Sequence, residues 1–299
     1  MDFTALRYFG ETAHSRSIRA ASERLHVAPS AISRQIAKLE HELRAPIFDR
    51  RSQGMALTPA GEMLLAKVEG MMREFARVKS HIAALQDLQA GTVDVYCFQT
   101  AIESFVAPVL HGFHMRHPNV SFNVTMSSTD ETIGALLNGT AELGLILNPP
   151  ARDTIARTEV FRDRMMAVVG PTHPLAGRKA VSLQELAEFP FVMTERSFGL
   201  RQQIDRTFTH HGINPNVFCV TNSITLVKGL ASFDRQCTLL PRFAVQKEAE
   251  AGTVSVIPVK EFTKDPLVFC ICELNSRSLS PAAKAFADAV IEFCQRFGH

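Results

Sequence analysis

The stretch from Ser17 to Leu43 reads SIRAASERLHVAPSAISRQIAKLEHEL. It contains two short segments with apolar residues at helical spacing, separated by a turn at 26–28. Ser17 is a typical helix N-cap, and Pro29 suits the first position of the second helix. The apolar positions are Ile18, Ala21 and Leu25 in the first segment and Ile32, Ile36, Leu39 and Leu43 in the second. The pattern predicts two helices that meet at an angle around a shared core.

The opposite side of the second helix is small, hydroxylic or cationic and has no acid: Ser30, Ser33, Arg34, Ala37, Lys38 and His41. Such a face can lie against a polyanion, and a helix fits the DNA major groove, where its N-terminal residues meet base edges. Those residues are Pro29, Ser30, Ala31, Ser33 and Arg34. Periodicity alone is equally consistent with an ordinary amphipathic helix whose polar face is solvated.

The next stretch, residues 39–61, reads LEHELRAPIFDRRSQGMALTPAG. Pro46 is expected to end the helix, and a polar excursion follows before the apolar segment 55–57. This predicts a β-hairpin wing beside the second helix. Its residues Arg50, Arg51 and Ser52 would contact phosphates or a neighbouring minor groove.

Four pieces of this region resemble the LysR-type transcriptional regulator family in order and spacing. They are S-I-x-x-A-A-x-x-L, A-P-S-A-I-S-R-Q-I-x-x-L-E, L-x-x-P-I-F-x-R and L-T-P-A-G-E. The resemblance implies a winged helix-turn-helix that binds an inverted-repeat operator, followed by a ligand-sensing domain. The DNA contacts we expect are Ser17, Pro29, Ser30, Ala31, Ser33, Arg34, Lys38, Arg50, Arg51 and Ser52. One departure is Arg44, where the family usually has glycine.

The charge of the chain is concentrated at its beginning. The formal net charge is only +2, but residues 1–59 hold nine Lys and Arg against six Asp and Glu, and residues 91–299 hold 19 against 20. This distribution argues against a uniformly basic nucleic-acid-coating protein and favours a small DNA-reading domain on a neutral body. The chain has no signal-like apolar segment and no membrane-length run, so we expect a cytoplasmic protein with no membrane partner.

The six cysteines form neither a C-x-x-C pair nor a zinc-ligand spacing, so we expect free thiols and no metal or other cofactor. Cys270 and Cys272 share one face of a strand pattern, which favours a core position over the alternative of a redox sensor. His111, His114 and His117 recur every three residues but spread around a helix, and no acid completes a zinc pattern.

Thr58-Pro59 is expected to start a long helix that continues to about Asp87. Seven apolar residues alternate at spacings of four and three along it: Leu64, Val68, Met71, Phe75, Val78, Ile82 and Leu85. This coiled-coil seam predicts a homodimer, or a homotetramer, and hence a palindromic operator. The alternative is a monomer that folds the helix onto its own body.

After residue 90 the pattern changes to strands alternating with helices, which predicts an α/β fold. The phrases PVLHGFHMRHPNVSFNV, HPLAGRKAVSLQELAEFPFV and CTLLP resemble the effector-binding portion of the LysR-type proteins. The resemblance implies a two-lobed α/β domain similar to periplasmic solute-binding proteins. The expected domains are a winged helix-turn-helix at 1–58, a dimerisation linker helix at 59–89, lobe I at 90–161 and 266–299, and lobe II at 162–265.

In such folds a ligand binds beyond the carboxyl ends of the strands. The effector contacts expected there are Thr100, Ser127, Ser128, Asn148, Thr194, Phe198, Arg201, Asn222 and Ser223, and the family resemblance favours Thr100, Ser128 and Thr194 among them. Helix N-termini near Glu103, Asp130 and Ser223 favour an anionic ligand such as a carboxylate, which Arg201 would pair with. The alternative is that these polar residues simply cap helices.

The sequence therefore predicts a sequence-specific DNA-binding transcriptional regulator controlled by a small-molecule effector, with RNA polymerase as a further partner that the family allows. Residues 232–236 are a second departure from the family pattern. They are expected to reshape the rim of the ligand-binding cleft between the two lobes. No hydrolase, kinase or dinucleotide-binding motif is present, so an enzyme is not expected. The alternative function is a solute-binding or enzymatic α/β protein whose N-terminal helices serve only assembly.

Overall fold

A computed structural model describes residues 2–51, 54–86, 91–263 and 266–295, without the side chains of residues 50, 51, 76, 77, 79–81 and 83–86. The chain divides into two compact units. The first, Met1–Lys79, is the head, and the second, Ser80–His299, is the body.

In the part of the head that the structure describes, three helices and a hairpin are followed by a long helix that begins there. Its elements are α1 (Phe3–Ser15), α2 (Ile18–Leu25), α3 (Pro29–Leu43), β1 (Phe48–Arg51), β2 (Gly54–Leu57) and α4 (Pro59–Gln86). The two strands pair antiparallel, as expected for a wing. The Ser17 hydroxyl accepts a hydrogen bond from the Ala20 N–H, and Pro29 occupies the first position of α3. The predicted winged helix-turn-helix is confirmed.

The core of the head joins all three helices to the start of the wing. Phe9, Ile32, Leu39 and Ile47 are buried in it. Leu43, expected at the end of the apolar stripe of α3, is exposed instead. The helix ends at this residue, because Arg44 adopts a left-handed conformation with φ of 53°.

The described residues of the body form ten strands in two five-stranded sheets. The strands are β3 (Gly91–Cys97), β4 (Val120–Met126), β5 (Leu143–Leu147), β6 (Ile155–Asp163), β7 (Met165–Val169), β8 (Phe191–Thr194), β9 (Val217–Thr221), β10 (Cys237–Pro241), β11 (Ser255–Pro258) and β12 (Leu267–Leu274). The first sheet has the order β4-β3-β5-β12-β6, and the second has the order β11-β7-β10-β8-β9. We call each sheet with its helices a lobe, the first lobe I and the second lobe II.

Helices connect the strands and cover the sheets. They are α5 (Gln99–Ala101), α6 (Ala107–Arg116), α7 (Thr129–Leu137), α8 (Leu183–Ala187), α9 (Gly199–His210), α10 (Ile224–Ala231), α11 (Gln246–Glu250) and α12 (Pro281–Gln295). A π-helical stretch at Ile102–Val106 joins α5 to α6, and two 3-10 turns lie at Arg242–Val245 and Lys260–Phe262. The predicted two-lobed α/β architecture is confirmed.

Parallel pairing places the polar strand ends of each lobe at one edge. In lobe I, β3 pairs in parallel with β4 and β5, while β12 runs antiparallel to β5 and β6. In lobe II, β8 pairs in parallel with β9 and β10. Strands β5, β7 and β10 are buried along their whole length, as expected for strands covered on both faces.

Two sequence-based expectations about the body were wrong, and one strand was missed. The helix after β3 begins at Gln99 and not near Glu103. Strand β6 was not predicted. Residues 232–236 do not reach the rim of the cleft, because they precede Cys237, whose partner Phe191 starts β8 at the opposite end of the sheet from Thr194.

Candidate functional site

The polar side of α3 faces away from the core of the head. The exposed members of the expected contact set on this helix are Pro29, Ser30, Arg34 and Lys38, while Ala31 and Ser33 are partly buried. The helix therefore presents a hydroxyl and two cations to solvent from its N-terminal and middle turns. Ser17 lies before α2, where its hydroxyl caps that helix.

The wing is anchored to the turn between α1 and α2. The Met55 N–H donates to the Arg16 carbonyl oxygen at 3.0 Å. A Cβ on Gly54, whose φ is +117°, would lie 2.8 Å from that oxygen, so glycine is required for this close approach. Arg50 and Arg51 belong to β1 by their backbone, but their side chains and all of Ser52 lie outside the described residues.

Glu40 ties the last turn of α3 to the start of the wing. Its Oε1 accepts hydrogen bonds from the backbone N–H of Ile47 at 2.9 Å and of Phe48 at 3.4 Å. This acid therefore points away from the cationic side of α3. Glu40 was not among the expected site residues, although it is the first acid after the stripe of Ile32, Ile36 and Leu39.

The expected seam of α4 divides into two parts. Leu64 packs against the head core and Val68 is buried within it, so Val68 is covered by its own domain and is not available to a second chain, contrary to the expectation. Four later members remain exposed: Met71, Phe75, Val78 and Ile82. The Leu85 side chain lies outside the described residues. An exposed apolar stripe thus covers only the middle and later turns of the predicted seam.

Several expected effector contacts lie at the carboxyl ends of the strands, and most are buried. Thr100, Ser127, Ser128 and Thr194 are each less than a tenth exposed. Among the described residues, the buried Thr194 hydroxyl has no hydrogen-bond partner. Buried hydroxyls are rarely left unpaired, so Thr194 is a candidate for ligand contact.

Helix capping accounts for other members of the set. Ser128 and Glu131 form a capping box at the start of α7, and the hydrogen bonds from the Ser128 backbone and hydroxyl lower the pKa of the Glu131 carboxyl. The Ser127 hydroxyl lies 2.7 Å from the Thr132 hydroxyl. Ser223 caps α10 by accepting from the Leu226 N–H. The alternative that these residues cap helices is therefore supported for Ser128 and Ser223, whereas the Ser127 hydroxyl bonds to another side chain.

Asn148 and Arg201, two further expected contacts, form hydrogen bonds to other groups of the body. Asn148, at φ of 47°, accepts the Val268 N–H at 2.6 Å and donates to Gln203. Arg201 is buried and donates to Asp205 at 2.7 Å and to the Thr194 carbonyl oxygen at 2.8 Å. Asp205 therefore already balances the charge of Arg201, and the pairing of Arg201 with an anionic ligand stays a prediction.

Between the lobes lies a small cavity of about 30 Å³. Its lining includes Thr100, Thr129 and Leu147 from lobe I and Phe198, Gly199 and Ile224 from lobe II. Phe198, an expected contact, therefore faces this space, whereas Asn222 is exposed and is not part of its lining. The space holds about one or two water molecules.

The described residues give little support for a metal site, for redox chemistry at the buried thiols or for a membrane-spanning helix. No group of three or more His, Cys, Asp or Glu side chains is placed to hold a metal ion among them. The six cysteines are free, and burial raises the pKa of the Cys97 and Cys272 thiols to about 12. Within the same residues, no helix combines the length and apolar character needed to cross a bilayer.

Two family models match the chain. The model described as "Bacterial regulatory helix-turn-helix protein, lysR family" matches residues 3–62, and "LysR substrate binding domain" matches residues 86–295. The first therefore covers the head up to the start of α4, and the second covers nearly all of the body.

Known proteins agree with this assignment along the whole chain. The transcriptional dual regulator GltC of Bacillus subtilis strain 168 is 34% identical over 295 residues, which cover 98% of this chain and 97% of GltC. The structure of full-length CbnR complexed with its target DNA has a TM-score of 0.72 at 21% identity and covers 98% of this chain and 99% of CbnR. The effector-binding domain of QuiR in complex with shikimate has a TM-score of 0.61 at 23% identity and covers 70% of this chain and 99% of that domain. The chain is a DNA-binding transcriptional regulator with an effector-binding domain, not an enzyme, and it belongs to the LysR family.

Proposed function

We propose that this regulator reads an inverted-repeat operator in double-stranded DNA through the exposed side of α3, as a homodimer or homotetramer. The observation that carries the proposal is that Arg34 and Lys38 are exposed on α3 while Glu40 is held against the wing. Ser30 and Arg34 are suited to read base edges, and Lys38 to bind phosphate. Ser17, Pro29, Ala31, Ser33, Arg50, Arg51 and Ser52 complete the proposed contact surface.

The proposed assembly uses the exposed apolar stripe of α4. Met71, Phe75, Val78 and Ile82 occupy positions that a second copy of the helix would cover. Two heads related by a two-fold axis would then reach half-sites on successive turns of the duplex. We propose that this takes place in the cytoplasm, with RNA polymerase as a further partner at the promoter.

We also propose that a small anionic organic effector binds between the lobes and alters promoter engagement. The unpaired buried hydroxyl of Thr194 supports this site, as does Thr100, which lines the cavity between the lobes. The N-termini of α9 and α10, which face lobe I, also support it. The QuiR domain binds shikimate, a carboxylate, which is consistent with this ligand class. Ser127, Ser128, Asn148, Phe198, Arg201, Asn222 and Ser223 would shape or surround the site.

The proposed domain limits are 1–58, 59–89, 90–161 with 266–299, and 162–265. Strands β6 and β12 support the last two, since β6 ends at Asp163 and β12 begins at Leu267. Strand β6 extends two residues beyond the proposed end of lobe I at 161.

The operator proposal is tested by selecting duplexes from a random pool with the full chain and then measuring the affinity of variants for the selected sequence. Arg34→Ala should weaken specific binding by about 1–3 kcal/mol and relax preference at one base pair of each half-site. The control is Arg162→Ala, an equal charge change at an exposed arginine of β6, which should leave binding unchanged. Unaltered binding by the Arg34 variant would exclude readout by this side of α3.

The effector proposal is tested by a thermal-shift screen with shikimate, succinate and benzoate as probes. A probe that binds the native body raises its melting temperature by mass action. Thr100→Val keeps the side-chain volume and should abolish the shift. An equal shift in this variant would place the ligand elsewhere.

A further inference from the structure

The two lobes are joined across the cleft by a side chain of lobe I that caps a helix of lobe II. Gln99, in the first turn of α5, accepts a hydrogen bond from the Ile224 N–H at 3.1 Å through Oε1. Its Nε2 donates to the Thr225 hydroxyl at 2.8 Å. Gln99 is thus bound to both of the first two residues of α10, which lie 125 and 126 positions away in the chain.

A second cap lies at α9. The Gly199 N–H, at the first position of that helix, donates to the Thr129 hydroxyl of lobe I at 3.0 Å. The approach is close, because a Cβ on Gly199 would lie 2.7 Å from the Leu147 carbonyl oxygen. Asn148 of lobe I also donates to Gln203 on α9. Both helices of lobe II that begin at the cleft are therefore capped by lobe I.

Charge reinforces the first of these contacts. The Lys228 ammonium on α10 lies 3.7 Å from the Glu103 carboxylate of lobe I and 3.0 Å from that of Glu248 in lobe II. The Lys228 side chain is 14% exposed, so this contact is shielded from solvent more than an ordinary surface pair.

The caps have a consequence for ligand entry. The cavity lined by Thr100, Phe198 and Ile224 is about 30 Å³, whereas organic ligands occupy pockets of roughly 300 Å³ or more. An effector that binds in this cavity therefore requires the lobes to separate. Because Gln99 and Thr129 each reach the opposite lobe, separation breaks both caps together.

We propose that Gln99 and Thr129 form a latch that keeps the cleft closed in the absence of effector. The effector then acts by stabilising a conformation in which the lobes are separated, and not by drawing separated lobes together. The role of the latch in regulation rests on the proposed effector cleft. Gln99 and Thr129 are positioning residues in this scheme, because they act through the helices that they cap.

The latch is tested by hydrogen exchange and mass spectrometry of the full chain without DNA or effector. The variants are Gln99→Met and Thr129→Val, which remove the acceptors at nearly constant volume. The controls are Gln246→Met and Thr207→Val, whose side chains, within the described ranges, form hydrogen bonds inside α11 and α9. Exchange is read in peptides spanning 196–201 and 222–227 and is divided by exchange in β12, so that a change in global stability cancels.

If the two caps form one latch, both peptides exchange through the same separation of the lobes. Each variant removes one hydrogen bond that opposes this separation and should accelerate amide exchange in both peptides by about fivefold or more. The control variants should leave both ratios unchanged. Acceleration confined to the peptide whose own cap was removed would show two independent local contacts and would overturn the proposal, as would no acceleration in either. Because neither DNA nor effector is present, this result is separate from the tests of operator and effector binding.

Discussion

The Glu40 carboxylate lies 2.9 Å from the backbone nitrogen of Ile47 and fixes the end of α3 to the residue that precedes the wing. Hydrogen bonds to a partly buried charged group contribute about 1.5–3 kcal/mol. We therefore expect Glu40→Ala to lower the free energy of unfolding of the head by that amount and to weaken operator binding. Urea titration and binding isotherms measure the two effects. Glu23→Ala, at an exposed acid of α2, is the control, and equal stability of the two variants would contradict the role of Glu40.

Arg44 holds a conformation that favours glycine, the residue usual in the family at this position. The Ala45 N–H donates to the Glu40 carbonyl oxygen and the Arg44 N–H to that of His41, which is a Schellman-type helix end. Arg44→Gly should raise the stability of the head by about 1 kcal/mol, because glycine adopts positive φ without steric cost. Arg34→Gly, within the same helix, should lower it by about 1 kcal/mol. Amide exchange of the α3 peptides reports both changes, and destabilisation by Arg44→Gly would contradict the explanation.

Substitutions at two valines of α4 should separate assembly from folding. Val78 is 44% exposed and Val68 is 2% exposed. Val78→Glu should produce folded monomers on sedimentation, because a charge would enter the proposed coiled-coil seam. Val68→Glu should instead unfold the head, as seen by circular dichroism. An unchanged oligomer in the Val78 variant would exclude this part of the seam.

The thiols should differ sharply in reactivity. Cys219 is partly exposed on edge strand β9, whereas the other five cysteines are buried. Burial raises the pKa of the Cys97, Cys272 and Cys294 thiols to about 12, so almost no reactive thiolate forms at neutral pH. Iodoacetamide should label Cys219 first, and the others only on unfolding. Rapid labelling of Cys272 in the native protein, read by peptide mass spectrometry, would revive the redox-sensor alternative.

The capping box of α7 should make part of the stability of the body depend on acid pH. Hydrogen bonds from Ser128 hold the pKa of Glu131 below its usual 4.5. Because the folded-state pKa is the lower one, the stabilisation is present above pH 4.5 and is lost as the pH falls through the folded-state value. Glu131→Gln removes the ionisable group, so the stability difference from wild type should shrink over this range. A difference that does not change with pH in thermal unfolding would contradict this account.

The head was predictable because its signals are local. Ser17 and Pro29 mark helix starts, and the spacing of Ile32, Ile36 and Leu39 defines the core side of α3. The same periodicity could not show that Val68 packs against its own domain. Apolar residues recur at the same spacing whether the same chain or a second chain buries them. Strand β6 was missed because IARTEVFRD is largely polar, and much of the strand is exposed.

The position of the cleft was predicted from the ends of the strands. The role of each residue there depends on hydrogen-bond partners that the local sequence does not show. Asn148 bonds to Val268, 120 positions later, and Arg201 is balanced by Asp205. Gln99 and Thr129 were not selected as site residues, although Gln99 lies two residues after the end of β3 at Cys97. Nothing in the local sequence identifies Ile224 and Gly199 as their partners, because such pairing is set by how the two sheets face each other.

Strand β6 ends at Asp163, which pairs directly with Leu267 at the beginning of β12. The intervening segment thus leaves and re-enters the first sheet at a single point, between two adjacent antiparallel strands. A two-residue Asn-Gly hairpin is the natural junction for such strands. Replacing residues 164–266 with this turn would excise lobe II while retaining every strand of the first sheet, which gives a minimal fragment for asking what lobe I does alone.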